Sequence, residues 1–173
     1  IAHQNDLPVQ SHLSENLSEI GWVKELCPWS TCYGDAYDHF GLLGPKTIMA
    51  HCVYSTDEEV DLLRRTGTYV AHCPQSNAQL ASGIAPIRRY LDLGMNVGLA
   101  TDVAGGADLS MWRCMADAVA ISKLRWRLVD QSLSPLTTQE AFWMATMGGG
   151  SFFGKVGSFA EGYELDALVL DDS

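Results

Sequence analysis

Apolar residues along this chain fall into short runs of four to eight, each followed by a polar turn and then a stretch with helical spacing. "LPVQSHL" (7–13), "KTIMAHCV" (46–53), "TYVAHC" (68–73) and "MNVGLATD" (95–102) read as strands. Between them, "IGWVKELC" up to Pro28, "STDEEVDLLRRTG" and "IAPIRRYLDLG" read as helices. Asn16 with Glu19, and Thr56 with Glu59, have the three-residue spacing of reciprocal N-terminal caps, and Gly67 marks a stop. Residues 29–46 read as a long loop of the kind that covers a site, and residues after Pro74 as a polar loop. A long helix over about 109–127, another near 137–147 and a closing strand "YELDALVL" complete the pattern.

Alternating short apolar strands and helices predict an α/β fold with a parallel sheet covered by helices. Four such strands amount to half of an eight-stranded (β/α) barrel, which typically takes about 250 residues. We divide the chain into a partial barrel, 1–155, and a segment, 156–173, that returns as a strand to a small β region. At 173 residues and 47% hydrophobic composition the chain can bury a sizeable core. Its formal net charge of −10 argues against nucleic acid and against anionic membranes. The apolar runs are too short to span a bilayer, which needs about 20 residues. Five cysteines with no C-x-x-C pair fit a reduced, cytoplasmic setting.

Each strand finishes on an ionisable side chain: His12, His51, His72 and Asp102. In parallel α/β folds ligands bind at the carboxyl ends of strands, so these four are expected to converge. Strand alternation separates His51 from Cys52 and His72 from Cys73, placing the histidines at the mouth and the cysteines among the helices. The two "HC" pairs therefore do not form a Cys2His2 metal cluster, and the cysteines read as small buried apolar residues. Ala100 and Gly98 would leave room inward of Asp102, and Gly105 and Gly106 would give the next loop unusual backbone angles. Glu15 can be turned to the mouth as a proton carrier or stay a solvated turn residue; spacing alone leaves both open. His3 and His39 lie away from strand ends. "MWRCMADAVAISKLRW" has helical apolar spacing and reads as core rather than as an aromatic site. Histidine and aspartate together suit zinc, or iron(II), which brings the pKa of a bound water to about 7.

The blocks "QSHLSEN", "TIMAHCVYS", "AHCPQSN", "LATDVAGG" and "EGYELDALVLDD" resemble, in that order and spacing, guanine deaminases of the metal-dependent amidohydrolase superfamily. "TDVAGG" carries the likeness to guanine deaminase; the others are shared more widely. The resemblance implies a TIM-type barrel in which these strands are the fifth to eighth. It implies His12 as a metal ligand, Asp102 as a ligand that also takes a proton from the attacking water, and Glu15 as the shuttle to the purine ring. His51 would orient the water or bind metal directly, and His12, Glu15 and Asp102 would line the substrate, with His72 and Asn77 at the pocket edge. The reaction implied is hydrolysis of guanine to xanthine and ammonia, in an enzyme that is a homodimer at full length. An H-x-H pair on the family's first strand and an arginine on its fourth are not found in these residues, so the chain alone is expected to be inactive. Two alternatives stand beside this reading. One is an amidohydrolase acting on 8-oxoguanine or an aminated or chlorinated heterocycle; the other is a non-catalytic scaffold on a degenerate barrel.

Overall fold

The computed structural model describes residues 1–171. The strands are β1 (Val9–Leu13), β2 (Thr47–His51), β3 (Tyr69–His72) and β4 (Val97–Leu99). They pair in parallel in sequence order, with β1 and β4 at the two edges. The helices are α1 (Leu17–Leu26), α2 (Tyr33–His39), α3 (Asp57–Thr66), α4 (Pro74–Gln79), α5 (Ile87–Asp92), α6 (Met111–Leu128) and α7 (Thr138–Trp143). The α/β class and the parallel sheet agree with the hydrophobic pattern.

Register explains the two faces. His12, Ala50, Ala71 and Gly98 stand side by side across the sheet on one face. Their neighbours Leu13, Met49, Val70 and Val97 turn the other way and are buried in the core with Val60, Leu63, Tyr90 and Cys114 from the helices. Tyr90, fully buried, donates its hydroxyl to the Cys52 carbonyl at 2.6 Å, so the largest core side chain leaves no polar atom unmet. The first face instead opens onto a cleft of about 1050 Å³ lined by Ile48, Ala71, Met115, Phe142 and Phe152.

Caps form where the sequence places them, with one difference. Asn16 and Thr56 each accept the amide of the residue three positions on, Glu19 and Glu59, and Gly67 ends α3 in the left-handed region with φ 71. Neither glutamate returns the bond. Glu19 accepts from the Tyr33 hydroxyl, and Glu59 turns inward to Ser14 and Gly34. The full reciprocal box occurs at Thr137 and Glu140, at the start of α7.

Other expectations are corrected. Part of the expected loop at 29–46 is helix α2, and part of the expected polar loop after Pro74 is helix α4, started by that proline. The helix near 137–147 continues past Trp143 as a π turn, Met144–Gly148, which packs on β4. Gly98 serves that packing, since a Cβ there would lie 2.9 Å from the Gly149 Cα; it does not open space at the site. Residues 163–171 form no strand, and Leu165, Leu168 and Val169 are exposed. The Glu164 amide donates to the Lys155 carbonyl at 2.8 Å, but no ladder of strand bonds follows it among the described residues; residues 172–173 lie outside them.

Candidate metal and catalytic site at the strand ends

Four non-glycine residues at the strand ends adopt positive φ: Ser14 (48), His51 (74), Cys52 (45) and Asp102 (49). Such conformations are costly for side chains with a Cβ, and in folded proteins they cluster where function fixes the geometry. Their effect is to break strand alternation. His51 is in register with core-facing Leu13, and regular pleating would send it into the helices. Its left-handed backbone coincides with a ring centroid 5.1 Å from that of His12 on the open face. The positive φ at Ser14 likewise turns the chain so that Glu15 Oε2 reaches 3.6 Å from His51 Nε2. Asp102 Oδ2 lies 3.9 Å from the same nitrogen. In the following loop neither Gly105 nor Gly106 takes a positive φ; Asp102 itself is the left-handed residue.

His12, His51 and Asp102 thus each offer one ligand atom within 4.8 Å of the others. Two imidazoles and a carboxylate are the donor set of hydrolytic zinc sites, so the residues fit the group. His51 Nε2 and Asp102 Oδ2, 3.9 Å apart, stand wider than the roughly 3.4 Å between neighbouring donors of a tetrahedral zinc site with bonds near 2.1 Å. The cysteines take no part. Cys52 packs in the core with its thiol toward the Met49 carbonyl, and Cys73 is buried with its pKa pushed up to about 12, first by burial.

Two neighbours orient this group, and pattern reading did not assign them those roles. Asn77, buried in α4, places Oδ1 2.9 Å from His51 Nδ1. With that oxygen accepting, Nδ1 carries the proton and Nε2 turns its lone pair toward Glu15 and Asp102. Asn77 therefore sits behind His51 rather than at the pocket edge. Ser82, in the turn after α4, donates to Glu15 Oε1 at 2.8 Å, a hydrogen bond to a charged group of the kind worth about 1.5–3 kcal/mol. No local signal announces a serine 67 positions away.

His72 does not join the other three strand ends. It falls on the face opposite Ala71 and is buried beside a small cavity lined by Ile84, Ala118 and Trp126. Regular alternation governs here because His72, unlike His51, has no positive φ. His39, at the end of α2, packs on Trp29. Burial first, and then the nearby His51, hold the His72 pKa down to about 3. Its usual value is 6.5, so the unfolded chain binds a proton below that pH which the native state refuses. Stability from this residue is present above about pH 6.5 and falls as the pH drops toward 3. Denaturant unfolding of the full-length protein and of His72→Gln, near pH 7 and near pH 5, should show the gap between them shrinking by about 2 kcal/mol at the lower pH. A constant gap would place the His72 ring in contact with solvent.

A parallel sheet that gathers two imidazoles and a carboxylate at its strand ends defines an α/β protein with a candidate metal site at the mouth of its sheet. The chain belongs to the amidohydrolase family, whose match runs over residues 1–172. It is 42% identical over 174 residues to a probable guanine deaminase of Schizosaccharomyces pombe, covering 99% of this chain and 33% of that protein. Among solved structures it superposes with a TM-score of 0.90 on guanine deaminase from C. acetobutylicum with guanine in its active site, at 50% identity over 94% of this chain and 39% of that one. It also resembles an adenosine deaminase from Xanthomonas campestris with bound zinc, at TM-score 0.79 and 28% identity over 91% of this chain and 35% of that one. The chain thus spans a third to two-fifths of the length of these relatives. No helix among the described residues is long and apolar enough to cross a membrane.

Proposed function

We propose that this chain supplies half of the active site of a guanine deaminase, converting guanine and water to xanthine and ammonia. The observation that carries this reading is the cluster of His12, His51 and Asp102, with Glu15 against it, in a chain 50% identical to a guanine deaminase that holds guanine. A divalent metal, zinc or iron(II), would be held by His12 and Asp102, with His51 as ligand or orienter. When bound, it lowers the pKa of a water and so supplies a nucleophile at neutral pH.

The chain's own residues divide the proton transfers. Asp102 accepts the proton of the attacking water, while His51, its Nε2 lone pair fixed through Asn77, orients that water. Glu15, held by Ser82, takes the water's other proton and passes it to a ring nitrogen as the water oxygen bonds to the carbon bearing the exocyclic amine. Asp102 then gives the proton it holds to the amine, which leaves as ammonia as the carbon–oxygen double bond forms, and both carboxylates return to their starting state. Two carboxylates in different settings, one on the metal and one on the ring, suit the paired acid and base roles.

In this reading the four strands are the fifth to eighth of an eight-stranded barrel, and 156–173 returns to a separate β region. The free edges of β1 and β4 and the apolar cleft over the sheet support that placement, because an isolated half-barrel leaves such surface uncovered. Steady-state kinetics of the metal-loaded full-length protein on guanine, 8-oxoguanine and an aminotriazine tests the substrate. Guanine should exceed the others in kcat/KM by at least about tenfold, a difference of about 1.4 kcal/mol. A preference for either rival would reassign the enzyme within the family.

A further inference from the structure

We propose that Glu59, 45 positions along the chain from Ser14, is a positioning residue for this site: its buried carboxylate holds the turn at Ser14 and thereby sets where His12 and Glu15 stand. The inference rests on the roles proposed above for those two residues. Glu59 occupies the first turn of α3, where acidic side chains ordinarily face water, yet it is 1% exposed. Ser14 Oγ donates to it, 2.6 Å from Oε1 and 3.0 Å from Oε2, and the Gly34 amide donates to Oε2 at 3.0 Å. A buried carboxylate met on both oxygens fixes its donors as firmly as they fix it.

What it fixes is a left-handed serine, φ 48, between the ligand candidate His12 and the acid candidate Glu15. The Ser14 carbonyl accepts the amides of Val53 and Tyr54, and the Leu13 carbonyl accepts that of Cys52. The ends of β1 and β2 are thereby tied to one another, and Glu59 is the side-chain anchor of that tie. The same carboxylate reaches α2. A Cβ at position 34 would stand 3.2 Å from Glu59 Cγ and 3.3 Å from Leu62 Cδ2, so glycine lets the helix approach. Glu59 thus joins α2, α3 and the catalytic turn, and it is absent from the cluster itself.

The test uses the full-length protein loaded with cobalt(II), in wild type, Glu59→Gln, Ser14→Ala and the double variant. Three quantities are read: the cobalt absorption spectrum with chelator-competition affinity, kcat and KM for guanine per bound metal, and the melting temperature. We expect each single variant to shift the spectrum and to lose about 10–100-fold in kcat or metal affinity, as residues behind a metal site commonly do. KM should stay within about threefold, and the double variant should be no worse than the worse single one. Loss of melting temperature alone, with spectrum and kcat per metal unchanged, would make Glu59 merely structural and overturn the proposal. Additive losses in the double variant would also overturn it, since Glu59 would then not act through Ser14. If Glu59→Gln does not fold, Ser14→Ala decides by the same readings. Should wild type fail to turn over guanine while the variants still shift the spectrum, the proposal stands and the substrate reading falls.

Discussion

Glu15→Gln in the metal-loaded full-length protein is expected to lower kcat for guanine by about 10²–10⁴-fold, the usual weight of a positioned acid or base, while KM stays within a fewfold. The carboxamide keeps the shape of the side chain and can still meet Ser82, but it cannot take up a proton and pass it on. Glu15 lies outside the three residues that offer metal ligands, so metal content should not change. A variant that lost metal in proportion to activity would make Glu15 a ligand rather than a proton carrier. A variant of full activity would return it to the role of a solvated turn residue.

The second large effect concerns the 173-residue chain by itself. It presents His12, His51 and Asp102 with His51 Nε2 and Asp102 Oδ2 3.9 Å apart, and His12 exposed on an edge strand. Donors this loosely spaced must draw together to close on zinc, and the two imidazoles of the family's H-x-H are not among its residues. We expect zinc binding at least about a thousandfold weaker than in the full-length protein, a difference of about 4 kcal/mol, and no release of ammonia from guanine. Chelator competition measures the first and an ammonia assay the second.

The strands were legible because short apolar runs bounded by turn residues have few other uses, and the parallel order followed from the helices between them. The site was legible to the extent that chemistry sits at strand ends: His12, His51 and Asp102 meet there. His51 and His72 show the limit of that rule. Both end an "AHC" run, yet only His51 has the left-handed backbone that accompanies its turn to the mouth; the proline after Cys73, which favours extended backbone in the residue before it, is a local difference between the two runs. Helix α2 was hidden for another reason. "YGDAYDH" has no apolar period, and its start is held by a bond from Gly34 to a glutamate 25 positions on. Ser82 and Glu59 escaped likewise, because their partners lie 67 and 45 positions away. The expected strand at 163–170 reads as a strand by composition, but ladder pairing is a property of two segments, which the composition of one does not reveal.

The most direct test is ammonia release from guanine, followed together with xanthine formation, by the full-length protein with metal, after chelation and after metal is restored. Release that disappears on chelation, returns with zinc or iron(II), and is absent from the 173-residue chain is the predicted result. No release by the metal-loaded protein, release that persists without metal, or turnover by the 173-residue chain alone would contradict it.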